Sequence, residues 1–115
     1  MKLLHSRYSC HVFAFGDMNT TISSDAFKVY RENGIDYLFD SAREKDTVCS
    51  IHGNPERGED GKFHGKNPTK DYTSSIDHII GLGNGYNVLC YRVIEDSEAL
   101  DATDHSPVYA DIELI

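Results

Sequence analysis

Three short acidic motifs, each set against an apolar run, carry most of the chemistry that this 115-residue sequence can offer. Gly16-Asp17-Met18-Asn19 follows Val12-Phe13-Ala14-Phe15. Ser75-Ile76-Asp77-His78-Ile79-Ile80 places an acid inside an apolar stretch, and Thr103-Asp104-His105-Ser106-Pro107-Val108 leads into the last one. Strands that finish in Asp, Asn and His bring carboxylate, amide and imidazole groups to one sheet edge, where a divalent cation and a phosphate can be held together. Hydrolysis of a phosphate ester needs a cation to absorb charge developing on oxygen, a positioned water and a group that moves protons. A hard cation, Mg²⁺ or Mn²⁺, takes carboxylate oxygens, and Asp17 and Asp104 are the natural suppliers. Asn19 can turn its amide toward a phosphate oxygen or the water. His105 can act as base or phosphate contact once its other ring nitrogen is held. Asp77, costly in an apolar strand unless paired, is the candidate to hold it. Taken singly, each motif also has an ordinary reading, since Gly-Asp-x-Asn forms Asx turns and Asp-His-Ser-Pro forms capped loops.

The elements that must position these groups follow from periodicity. The run from Cys10 to Phe15 is apolar on both alternating faces and predicts a strand buried between two layers. Ser23 or Ser24 caps a helix with Ala26, Phe27, Val29 and Tyr30 on one side, stopped by Gly34. Residues 35–42 read as a short helical turn or a packed loop. From residue 53 to 75 Gly, Pro and charge dominate, which predicts a long surface loop with one extended piece at Lys62-Phe63-His64. Strands are expected at 75–80, 86–94 and 108–114, with a turn at Gly83-Asn84-Gly85 and an acidic loop over 96–102. The last strand should have one wet face, formed by Tyr109, Asp111 and Glu113.

In this order the motifs resemble the C-terminal half of the endonuclease/exonuclease/phosphatase superfamily, the deoxyribonuclease-like metal-dependent phosphoesterases. The resemblance implies an α+β fold, half of a four-layer α/β/β/α sandwich, with a mainly antiparallel sheet and one flanking helix. Residues 1–115 would then be a partial domain. It further implies that Asp17 orients or activates the attacking water, Asn19 contacts phosphate, Asp77 orients His105, and Asp104 associates with the metal. Thr103 stands where the family has Ser and keeps the hydroxyl. Lys62-Phe63-His64-Gly65 is similar to a Thr-Phe-His-Gly segment of bacterial members, which would bring His64 to the substrate. The family's N-terminal half, with its Asn and metal-ligating Glu, has no counterpart here, so weak or absent activity is expected of this chain by itself.

Bulk properties narrow the functions. The length allows one domain at most, and 39% apolar residues with a mean hydropathy of −0.47 contain no run long enough for a membrane span. No signal-peptide core follows Lys2, because His5, Ser6 and Arg7 interrupt it, which predicts a cytoplasmic chain. Three widely spaced cysteines, Cys10, Cys49 and Cys90, predict free thiols, buried or half-buried. His52 and His64 with Cys49 fit no standard zinc spacing and read as surface-loop histidines. Asn19-Thr20-Thr21 matches a glycosylation sequon that a cytosolic chain never exposes to the machinery. A net charge of −8 disfavours broad contact with nucleic acid. Three functions result: hydrolysis of a phosphorylated small molecule, lipid headgroup or nucleic-acid end; a silent fragment serving as an interaction or assembly module; and, disfavoured by charge, a DNA-directed endonuclease. The second implies self-association through Phe13, Phe15 and Ile79 on an open sheet face.

Overall fold

The structure is a computed structural model and describes residues 1–52, 55–65, 71–83 and 85–115. Pro68 and the centre of the expected turn, Asn84, lie outside those residues. The architecture is mixed α and β, with two three-stranded sheets and a two-stranded ribbon. The first sheet has the order β1-β6-β2, from Val12–Asp17, Asp77–Leu82 and Asp36–Tyr37, all antiparallel. The second has the order β3-β7-β8, from Glu44–Lys45, Tyr86–Val93 and Val108–Leu114, with the β3–β7 pair parallel. The ribbon pairs β4, Glu56–Arg57, with β5, Phe63–His64, so the extended piece expected near residue 63 exists and finds a partner.

The helix expected after β1 is α2, Asp25–Glu32, and the side chain of Ser24 accepts from the Phe27 N–H at its start. Its apolar side buries Phe27, while Val29 stays half in water. Among the described residues three further short α-helices accompany it. α1, Lys2–Tyr8, has no buried residue and is tied to the end of α2 by Lys2 Nζ donating to Asn33 Oδ1 at 3.0 Å. α3, Leu38–Ser41, follows β2 directly, so residues 35–42 combine a strand stub with a helical turn. α4, Ser97–Ala102, replaces the acidic loop expected over 96–102. Asp96 Oδ1 accepts from the Ala99 N–H at 2.9 Å, and Glu98 lies in the first turn, where negative charge favours a helix.

The core gathers where β6, α3 and β7 meet, around Phe27, Leu38, Ile80 and Tyr91. Each such side chain contributes about 1.5–3 kcal/mol by leaving water. Val88 and Tyr91 both reach this core although they are three residues apart. A register shift between Val88 and Cys90 lets the strand skip one residue and keep both inward. Strand β8 shows the expected alternation, with Val108, Ala110 and Ile112 half-buried and Tyr109, Asp111 and Glu113 exposed.

Strand β1 departs from expectation. It is an edge strand, half-buried over Val12, Phe13 and Ala14 and exposed beyond, with Phe15 80% exposed. Cys10 is also exposed, against the expected buried or half-buried thiol, while Cys49 is buried and Cys90 intermediate. Among the described residues no helix is long and apolar enough to cross a membrane.

Candidate active site

Strand β6 sorts the site. Successive side chains of a strand point to opposite faces, so Asp77 shares a face with Ile79 while His78 and Ile80 lie on the other. Asp17 at the end of β1 is paired with Asp77 at the start of β6, which sets the two carboxylates opposite one another. Gly16 precedes them with φ of 144°, a value L side chains rarely adopt, and so the strand can bend just before Asp17. The backbone then turns through Asn19, whose φ is 49° and whose N–H donates to Asp17 Oδ1 at 2.9 Å. This is an Asx turn that presents Asp17 and Asn19 together, both exposed.

His105 arrives from the other end of the chain. Its Nδ1 lies 2.8 Å from Asp77 Oδ2, with 31% of the His105 side chain and 14% of the Asp77 side chain exposed. The same carboxylate oxygen accepts from Ser50 Oγ at 2.6 Å. Asp17, Asp77 and His105 each bring a ligand-capable atom within 4.8 Å of the others. Burial alone would hold the His105 pKa down. The hydrogen bond and charge of Asp77, with the charges of Asp104 and Asp17, outweigh it and raise the pKa above the ordinary imidazole value.

Asp104 itself is exposed and outside that cluster. His64 is exposed and hydrogen-bonded through Nε2 to Asp60 in its own ribbon. The structure therefore brings Asp17, Asn19, Asp77 and His105 to one edge and leaves His64 occupied elsewhere.

Several polar residues at this edge escaped the sequence reading. Ser50 and Ser75 are fully buried, and Ser75 Oγ accepts from the Ser50 N–H at 3.0 Å. His52 is buried rather than on the surface, and its Nε2 lies 3.1 Å from Ser106 Oγ. Its partner is 54 residues away in sequence, so no local pattern could have shown it. His78, on the opposite face of β6, is fully buried between the Thr20 carbonyl at 2.6 Å and the Tyr37 hydroxyl at 3.0 Å.

A structural likeness answers to this arrangement. The chain matches a mannosyl-6-phosphatase from Bacteroides thetaiotaomicron VPI-5482 with a TM-score of 0.69 at 18% identity, over 99% of this chain and 42% of that one. It also matches an endonuclease/exonuclease/phosphatase protein from Bacteroides vulgatus, with a TM-score of 0.65, 20% identity, and 91% and 37% of the two chains covered. The chain has part of the endonuclease/exonuclease/phosphatase fold. A second protein of that name, from Leptotrichia buccalis C-1013-b, agrees, with a TM-score of 0.60, 18% identity, and 98% and 40% covered. The chain thus spans about two-fifths of the length of these three structures. No family profile and no curated protein matches the sequence.

Proposed function

We propose that this chain carries the Asp-Asn-His part of a metal-dependent phosphoesterase centre, acting on phosphomonoesters or phosphodiesters. The observation that supports it most is the hydrogen bond between His105 Nδ1 and Asp77 Oδ2, made by two motifs far apart in sequence at an edge that also holds Asp17 and Asn19. The donor set suits a hard divalent cation, because Asp17 is exposed and only its Oδ1 is engaged by the Asn19 N–H. Asp17 would hold Mg²⁺ or Mn²⁺, with Asp104 as the second acid. When bound, such a cation offsets charge on phosphate oxygens and makes bound water a better nucleophile.

The protein's own groups have the following roles. Asp77 accepts the Nδ1–H of His105 and thereby leaves Nε2 with a lone pair, able to take a proton or to meet a phosphate oxygen. The raised pKa makes His105 a better proton acceptor, and Asp77 stabilises the imidazolium that results. Asn19 offers an exposed amide beside Asp17 for a phosphate oxygen. His64 is proposed as a further substrate contact in place of its bond to Asp60. The three free cysteines support a reducing, cytoplasmic setting.

Two measurements test this reading. Mn²⁺ added to the chain should broaden NMR signals of Asn19 and His105, and Asp17→Ala should abolish the broadening. Turnover should be sought with bis-p-nitrophenyl phosphate, p-nitrophenyl phosphate and a hexose 6-phosphate in Mg²⁺ or Mn²⁺. Absence of both the broadening at Asn19 and His105 and any Asp17-dependent turnover would sink the proposal.

One observation favours a second reading, an interaction module. Phe15 stands 80% exposed at the rim of a cleft of about 480 Å³ lined by Phe13, Ile79, Val108, Ala110 and Ile112. Apolar surface of that kind promotes association, including with a second copy. The two readings separate on Phe15→Ser, which should abolish association in sedimentation without changing Mn²⁺ binding.

A further inference from the structure

We infer that Ser50 is a positioning residue for His105 and acts on it through Asp77; the inference rests on the reading of Asp77 and His105 as a working pair. Ser50 is fully buried, and each of its polar atoms is engaged. Its N–H donates to Ser75 Oγ at 3.0 Å, its carbonyl accepts from the Ser106 N–H at 2.6 Å, and its Oγ donates to Asp77 Oδ2 at 2.6 Å. The Asp77 N–H points back at the same hydroxyl from 3.4 Å. The residues on either side extend the contact. Ile51 forms a β-bridge with His105, and the His52 N–H donates to the Asp104 carbonyl at 3.2 Å. Residues 50–52 therefore lie along 104–106 while gripping the entry to β6.

The chemical consequence lies at one oxygen. Asp77 Oδ2 accepts from both Ser50 and His105. A carboxylate with a single partner can rotate about its last bond and still keep that partner. Two donors on one oxygen, the first anchored through its own backbone at both ends, hold the carboxylate plane. An acceptor held in that way selects the Nδ1–H tautomer of His105 and fixes the direction in which Nε2 points. Deleting the Ser50 hydroxyl leaves a largely buried carboxylate oxygen short of one donor and free to reorient. The effect on His105 is then orientational and tautomeric, which distinguishes it from a loss of packing.

The inference is tested on the metal-free chain with ¹⁵N-labelled histidine, in the pH range where the imidazoles are neutral. Long-range ¹H–¹⁵N spectra should show His105 held as the Nδ1–H tautomer, with its Nδ1 proton shifted downfield by the carboxylate. In Ser50→Ala the two His105 nitrogen shifts should move toward each other as the tautomers mix, and the downfield proton should weaken or vanish. His78, on the other face of β6, should keep its signals and so report that the fold is intact. Ser75→Ala removes a buried serine hydroxyl from the same hub without touching Asp77, and should leave the His105 nitrogen shifts in place. Ser50→Thr, which retains the hydroxyl, should restore the wild-type pattern.

Unchanged His105 shifts in folded Ser50→Ala, or equal changes in Ser50→Ala and Ser75→Ala, would overturn the assignment. Should Ser50→Ala fail to fold, Ser50→Cys decides, since it is close in size but a weaker donor. Intermediate shifts then support the inference and wild-type shifts refute it. The readout needs no substrate and no metal, so its failure is distinguishable from failure of the phosphoesterase reading. Where turnover is measurable, Ser50→Ala should lower kcat by roughly ten- to a hundredfold with KM little changed, the range for groups that orient a working histidine.

Discussion

His105 meets one face of β6 through Asp77 while His78 projects from the other, and the two are held in opposite ways. His105 is partly open to water and bonded to a carboxylate, and its pKa is raised because Asp77 outweighs the effect of burial. His78 is fully buried, with Phe27 edge-on at 4.7 Å, and burial holds its pKa below the ordinary value despite the Thr20 carbonyl and the charges of Asp77 and Asp17. The lowered pKa favours the neutral ring, and both ring nitrogens have partners. Nε2–H donates to the Thr20 carbonyl, and Nδ1 lies 3.0 Å from the Tyr37 hydroxyl, which also meets that of Tyr72. Burial pushes both tyrosine pKa values well up, so neither phenol ionises near neutrality. One strand thus separates a histidine suited to proton transfer from one suited to fixing the loop that follows Asn19. The residue type is shared, and the partner on each nitrogen decides the role.

The sharpest way to break this comparison is to remove the partner that makes His105 different. Asp77→Asn should leave the fold nearly intact and lower any metal-dependent hydrolysis by roughly 10²–10⁴, the usual weight of a general acid–base group. His105→Ala combined with it should cost little more, because the two act as a unit. Multiplicative losses in a kinetic double-mutant cycle would show instead that they act separately.

His78→Ala should do the reverse. It empties a buried site and takes one partner each from the Thr20 carbonyl and the Tyr37 hydroxyl, so unfolding should become easier by about 2–4 kcal/mol. The His105–Asp77 hydrogen bond should survive, as read from the His105 ring shifts. Urea midpoints and NMR on one sample check both halves of this expectation.

The two histidines should also separate by pH. The folded pKa of His78 lies below its unfolded value of about 6.5, so the unfolded chain binds the extra proton and stability is lost as pH falls from about 6.5 toward the folded value. The folded pKa of His105 lies above its unfolded value, so its contribution is present below about 6.5 and is lost as pH rises through the raised value. In metal-free protein, His78→Gln should flatten the acid side of the stability profile and Asp77→Asn the alkaline side. Identical profiles for the two variants would remove the distinction.

The smallest expected effect belongs to Phe15, which shares the Asp77 face. Phe15→Ser should change stability by no more than about 0.5 kcal/mol, as for other exposed sites, while reducing any concentration-dependent sedimentation. A stability loss several times larger would mean that the open face is packed in solution.

The parts legible in the sequence were those with local signatures. Helix α2 has a Ser cap and a glycine stop, β8 alternates cleanly, and Asp77 in an apolar strand announced a partner that proved to be His105. Helix α4 was legible in principle, since Asp96 before Ser97-Glu98-Ala99 is a start signal that acidic composition concealed. The burial of Ser50, His52 and Ser75 was not, because small polar residues look like loop residues until a distant segment is laid against them. Exposure of Phe15 was legible only through the family resemblance, which leaves its face open, whereas the apolar run by itself predicted burial: it records which surfaces suit burial, and nothing in it says whether the covering layer lies within this chain.

The hydrogen bonds of the Ser50 hub also set an order of events. Ser50 to Ser75 spans 25 residues, Ser50 to Asp77 spans 27, Asp77 to His105 spans 28, and His52 to Ser106 spans 54. Contacts between such distant positions form only after the intervening chain has closed into loops, which slows folding relative to helices and hairpins. The β7–β8 pairing, whose strands are joined by residues 94–107, can exist before the hub does, whereas the β1–β6 pairing joins positions as far apart as Val12 and Leu82 and closes no earlier. Residues 51 and 105 meet in an isolated bridge rather than a full ladder, so in hydrogen exchange the amides of His52 and Ser106 should open ahead of those in the middle of β6 and β7, and the edge that carries Asp77 and His105 should come apart before the centre of either sheet.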